Sequence, residues 1–176
     1  MIVLAIDQSF TGTGIAVFAG ETLRFYYQVS TKKTDGVKLR RQQIIENGII
    51  KIYKKILLQC PISNLLIGIE DLAYGAVGKT KIDLAKLLGG ILSRLMHEGF
   101  PPENLRPISP SKWKKFLTTQ GNARKKEVID AIDLKFKTGF QGKLKYNNIA
   151  DAIGIGHYVQ QHPDVFIKEV EEKEDA

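Results

Sequence analysis

Two apolar runs in this chain each close on an acid: IVLAID at residues 2–7 and LLIGIE at residues 65–70. Runs of that length and composition read as buried strands. Burial of each run aims its terminal carboxylate, Asp7 in one case and Glu70 in the other, at an edge of a sheet. A third acid, Asp151, stands among small and apolar residues in YNNIADAIGIGHY, residues 146–158. A carboxylate in such surroundings needs a positive group to offset its desolvation. Any fold for this chain has to accommodate all three.

Between these landmarks the pattern is mixed. Residues 2–6, 13–18 and 23–29 read as three strands in quick succession, with Gly12 and Gly20 in the turns, an antiparallel start. KLRRQQIIENGIIKIYKKILLQ spaces Ile45, Ile49, Ile52 and Ile56 as one stripe of a long helix, and Pro61 stops it. Residues 65–70 form a central strand, and KIDLAKLLGGILSRLMHEG sets Leu84, Leu87, Leu88, Ile91 and Leu95 on one helical face. LRPI at 105–108 is a further strand. SPSKWKKFL opens a short helix with Ser-Pro, ARKKEVIDAIDLKFK is another helix, and NNIADAIGIGHYVQQ is the last, amphipathic one. The order predicts an α/β fold: a mixed β-sheet, three antiparallel strands then parallel strands, flanked by helices. The first and fourth strands can then lie side by side and parallel, bringing Asp7 and Glu70 together. A helix packed across that edge adds Asp151.

Charge narrows the partners. The last nine residues, KEVEEKEDA, hold five acids and two lysines, and without them 24 basic residues face 14 acidic ones, a net charge of +10. Such an excess suits a protein that meets phosphate backbones. A chain of 176 residues with 43% hydrophobic content is one domain with a real core. Residues 163–176 read as an acidic, flexible tail. The single cysteine, Cys60, ends an apolar helical stretch and reads as a buried thiol. With no signal peptide and no long apolar run, the expected setting is cytoplasmic and no membrane is involved.

Three carboxylates crowded at one edge would raise one another's pKa, and a hard divalent cation removes the conflict. Oxygen-only ligands suit Mg²⁺, with Mn²⁺ as a substitute, rather than zinc. His97, His157 and His162 are scattered and read as surface or packing residues. Acids at a sheet edge on a basic protein point to metal-assisted phosphodiester hydrolysis. Taken singly, Asp7 and Glu70 are more often read as strand-end or cap residues. The three acids together favour the metal reading.

The motifs carry a resemblance. DQSFTGTGIAVF resembles the opening of the RuvC-type Holliday junction resolvases of the RNase H-like superfamily, and IGIEDLAYG resembles their second motif. PSKWKKFLTTQGNARKKEV is similar to their basic segment, with Lys114 and Lys125 at the places of its paired lysines, and NNIADAIGIGHY is similar to their closing helix. The match runs in consistent order from residue 1 to about 160, so residues 1–162 are expected to form an RNase H-like nuclease domain. The resemblance implies a homodimeric endonuclease that cuts four-way DNA junctions by paired nicks with Mg²⁺. It makes Asp7, Glu70 and Asp151 metal ligands and places a fourth catalytic acid at position 148, which here is Asn148. An amide is a poorer ligand and cannot act as a base. The family also sets an aromatic three residues after the second-motif acid; here that residue is Ala73, and Tyr74 follows as a candidate wedge against unstacked bases.

The basic segment has its own reading. Lys112, Lys114, Lys115, Arg124, Lys125 and Lys126 surround Trp113 and Phe116. The two aromatics are expected to pack inward and leave the lysines for phosphates. Lys79 and Lys81, after AYGAVGK, are candidates for a flexible DNA-contacting loop. The helix from Lys81 to His97, apolar on more than one side, is a candidate dimer interface. Two other functions fit the same acids: a nuclease of this fold acting on RNA–DNA hybrids or flaps, and a junction-binding protein without cleavage, which Asn148 favours. An actin-like ATPase needs two such domains and more residues than this chain has.

Overall fold

A computed structural model describes residues 1–72 and 78–164. Three strands come first: β1 (Ile2–Asp7), β2 (Gly12–Ala19) and β3 (Thr22–Ser30). Then follow α1 (Lys38–Leu57), β4 (Leu65–Glu70), α2 (Lys79–His97), β5 (Leu105–Ile108), α3 (Pro110–Thr118), α4 (Lys125–Phe136) and α5 (Asn147–Gln161). The sheet order is β3-β2-β1-β4-β5. β1 and β2 pair antiparallel, as do β2 and β3, whereas β1–β4 and β4–β5 are parallel. The mixed sheet and the β1–β4 adjacency are those expected from the alternation of elements. Gly20 occupies the β2–β3 turn at φ +53°, while Gly12 begins a strand rather than sitting in a turn.

Period-two alternation distributes each strand between two cores. On β1, Val3 and Ala5 face α3, α4 and α5 together with Trp113, Ile129 and Ile153. Leu4 and Ile6 face α1 and α2 together with Ile45, Ile49, Leu87 and Ile91. The stripe on α1 is buried at Ile45, Ile49 and Ile56, with Ile52 half-buried, and Cys60 lies buried beyond its end.

The closing helix departs from its expected amphipathic form. From Ile149 to Gln160 every residue is buried except Asp151 and Tyr158, which are half-buried. α5 lies on β1, β2 and β4 with α3 and α4 against its other side. Small residues make that approach possible: a Cβ on Gly156 would meet the Phe18 ring at 2.6 Å, and one on Gly68 would meet Val159 Cγ2 at 2.7 Å. Asn147, Asn148 and Asp151 have the pattern of a solvent face, whereas they form the end of the helix that meets the sheet's edge. Pro163 follows α5, and its carbonyl accepts from Arg106 Nε at 2.8 Å, so the residues just past the helix are tied to β5. The rest of the expected tail, residues 165–176, lies outside the described residues.

Candidate active site and nucleic-acid interface

Asp7 is the last residue of β1 and Glu70 the last of β4. The register pairs Ile6 with Ile69, so both acids step off the parallel ladder together at one edge of the sheet. Gln8 reinforces this junction by donating from Nε2 to the main-chain oxygen of Glu70 at 2.7 Å. Asp151 arrives from the second turn of α5, which is seated on β2 by its own beginning. There the Asn148 side-chain amide donates to the Gly12 carbonyl, and a Cβ on Gly14 would run into the Asn148 main-chain carbonyl.

The three acids act on one another electrostatically. Burial holds the Asp7 pKa well above the usual carboxylate range; the charges of Glu70 and Asp151 add to the rise, and Lys114 and Lys125 oppose it. Burial also raises Glu70, against the pull of the Trp113 indole, of Lys114 and of a hydrogen bond with Asp7. Asp151 is pushed up to about 7 by burial and by Glu70, again opposed by Lys114 and Lys125. The edge is short of positive charge even with two lysines turned toward it. Among the described residues no three His, Cys, Asp or Glu side chains are disposed to hold a metal ion as they stand. The acids meet through space, by the action of their charges on one another.

Lys114 on α3 and Lys125, the first residue of α4, thus reach the acids from a separate stretch of chain. Lys112, Lys115, Arg124 and Lys126 lie exposed around them. Trp113 has a role the sequence did not expose. It is fully buried, as expected, yet its Nε1–H donates to Glu70 Oε1 at 3.1 Å, and Lys114 Nζ stands 5.3 Å from its ring centroid. An aromatic flanked by lysines signals packing, whereas the direction of its one N–H depends on the tertiary fold.

Other expectations change. Phe116 does not pack inward with Trp113. It is 39% exposed and lies on the rings of His157, Tyr158 and His162. Three residues turn a helix by 300°, not a full circle, and the wide Trp113 ring fills the core-facing position. Lys79 and Lys81 belong to the first turn of α2 rather than to a loop. Tyr74 lies outside the described residues. His157 is a packing residue, buried between Phe116 and Phe136, and burial lowers its pKa.

A five-stranded mixed sheet with acids at the adjoining ends of its first and fourth strands, crossed by a buried final helix, is the RNase H-like arrangement. The relatives narrow that class. The chain belongs to the RuvC family of crossover junction endodeoxyribonucleases. It is 31% identical over 127 residues to RuvC of Wolinella succinogenes, covering 64% of this chain and 75% of that protein. It is also 31% identical over 129 residues to RuvC of Aliarcobacter butzleri, covering 66% of this chain and 80% of that protein. No family model matches the chain. Among solved structures, Thermus thermophilus RuvC in complex with Holliday junction substrate superposes with a TM-score of 0.71 at 20% identity, covering 92% of this chain and 96% of that one. The fowlpox virus resolvase in complex with Holliday junction DNA gives 0.53 at 16% identity, covering 92% and 97%. At those identities the superpositions speak for the fold alone.

Proposed function

We propose that this protein is a divalent-metal-dependent endonuclease that resolves four-way DNA junctions by paired symmetric nicks, acting as a homodimer. One observation carries the reading: Asp7 and Glu70 end neighbouring parallel strands at one sheet edge, and Asp7, Glu70 and Asp151 are held there with raised pKa values by burial and by one another's charge. That donor set fits a hard cation, because oxygen ligands that resist ionisation alone ionise readily around Mg²⁺. When bound, the cation supplies an activated water and stabilises the leaving oxygen.

The chain's own residues perform the rest. Trp113 holds Glu70 by its indole N–H, and Gln8 fixes the end of β4 relative to β1. Lys114 and Lys125 draw a phosphodiester toward the carboxylates and offset the repulsion between two anions. Lys112, Lys115 and Lys126 extend the same basic surface, and Lys79 and Lys81 add to it from the start of α2. On α2, Ile82, Gly89 and Met96 recur every seven residues; Ile82 and Met96 are exposed, and a Cβ on Gly89 would meet nothing. That open stripe supports a second copy packing along the helix.

The test uses labelled four-way junctions and linear duplex with and without Mg²⁺. Symmetric nicks confined to the junction, dependent on the metal and lost in Asp7→Asn, are expected. Cleavage of an RNA–DNA hybrid in preference to the junction would overturn the substrate assignment. Tight junction binding without nicks would favour the non-cleaving reading, which has its own support in the commitment of the Asn148 amide to Gly12.

A further inference from the structure

Beside the acids, a pocket of about 370 Å³ opens between the β1–β2 turn and the first turns of α1 and α2, walled by Ser9, Phe10, Thr11, Lys38, Arg41 and Asp83. Arg41 is its central feature. It is only 7% exposed, yet it pairs with no carboxylate among the described residues. Its Nε donates to Thr31 Oγ1 at 2.9 Å and its Nη2 to the Phe10 carbonyl at 2.7 Å, with the guanidinium 5.7 Å from the Phe10 ring centroid. All of these partners are neutral. The guanidinium is oriented without being neutralised, and a charge taken from water in that way is costly until an anion completes the site.

The surroundings fit an oxyanion. Asp83, the carboxylate on the wall, is already taken by the Lys38 ammonium. Ser9 Oγ and Thr11 Oγ1 stand 3.2 Å apart on the turn, hydroxyl donors opposite the basic side chains. Gln8, another lining residue, is the immediate neighbour of Asp7 and is bonded to Glu70. A strand of nucleic acid with one phosphate at the acids can run on into this pocket, whose volume admits a phosphate with a flanking sugar. We infer that the Arg41 pocket binds a backbone phosphodiester that flanks the scissile one and so sets the path of the strand; the identity of that strand rests on the function proposed above.

The test titrates inorganic phosphate and a short single-stranded oligonucleotide separately into the whole protein, following the amide NMR signals of Ser9, Thr11 and Arg41. Both ligands should move these signals. Asp83→Asn, which releases Lys38 from its pair, should tighten both about threefold or more, and Arg41→Gln should weaken both about tenfold. In junction binding, Arg41→Gln should reduce the salt dependence by about one phosphate contact. Unmoved signals overturn the site. If Arg41→Gln does not fold, Asp83→Asn decides alone, and unchanged or weaker binding in it overturns the site. Movement with phosphate but not with the oligonucleotide overturns the strand assignment in favour of a free-phosphate site. None of these readings requires cleavage, so an inactive protein that passes them defeats the nuclease proposal while leaving the pocket standing.

Discussion

At the scale of single residues, Asn148 illustrates how a family position can acquire a different task. Its amide donates to the Gly12 carbonyl, a bond no ionised carboxylate can make. Asn148→Asp exchanges that donor for an acceptor facing a carbonyl and adds a fourth acid near three that already resist ionisation. Loss of such a bond, with a buried acceptor left facing it, costs about 1–3 kcal/mol. We expect this variant to melt lower than the parent without divalent metal, to gain more stability than the parent from Mg²⁺, and to nick junctions faster in Mg²⁺. Equal melting temperatures without metal would show that the Gly12 bond contributes nothing. The presence of an amide at 148 was legible in the sequence; its partner was not, because Gly12 lies 136 residues away. The same holds for Trp113 and Glu70, 43 residues apart. A side chain's type can be read from its letter, whereas the direction of its donor is decided by packing that brings distant segments together.

At the scale of elements, the seat of α5 on β2 decides whether Asp151 reaches the other acids. The contact is backbone against backbone: the Gly14 site has no room for a Cβ beneath the Asn148 carbonyl, and no rotamer relieves the collision. Gly14→Ala must lift the first turn of α5 from the sheet or bend β2. Overpacking of this kind costs about 1–3 kcal/mol, more when the backbone must move. The expected result is a lower melting temperature together with weaker metal-dependent stabilisation, since Asp151 moves with the turn. A Gly14→Ala variant with the parent's response to Mg²⁺ would separate α5 placement from the acid cluster. Much at this scale could be read in advance. Apolar runs ending in acids mark β1 and β4, and the change from hairpins to alternating helices makes them parallel neighbours. The burial of α5 could not, because three polar residues at its start imitate a solvent face until the sheet beneath them is known.

At the scale of the whole molecule, the acid cluster sets a pH dependence of stability whose sign follows from the direction of each shift. Asp7, Glu70 and Asp151 hold protons more tightly folded than unfolded. Their contribution is therefore complete below the unfolded carboxylate range, about pH 4, and is lost as pH rises through the folded values, about 7 for Asp151 and well above the usual range for Asp7. His157 acts in the opposite sense: with its folded pKa lowered, its contribution is present above its unfolded value and lost as pH falls through the folded one. Asp83, Glu98 and Asp133 have lowered values, so their contributions disappear only in acid, below the interval considered next. At about pH 6.5 His157 is still half-protonated in the unfolded chain, so it adds a small opposing gain up to about pH 7.5, and the acid cluster governs the slope beyond. Without divalent metal, the melting temperature should fall by about 5 °C between roughly pH 6.5 and 8. Mg²⁺ binds the ionised carboxylates, so its stabilising effect should grow across that interval and be small near pH 5. Asp7→Asn removes an acid whose charge acts with both of the others and should flatten both trends. A metal-free protein whose stability is level over this range, or an Mg²⁺ effect as large at pH 5 as at pH 8, would show that the three acids do not share one electrostatic site, and the case for metal-assisted cleavage would go with them.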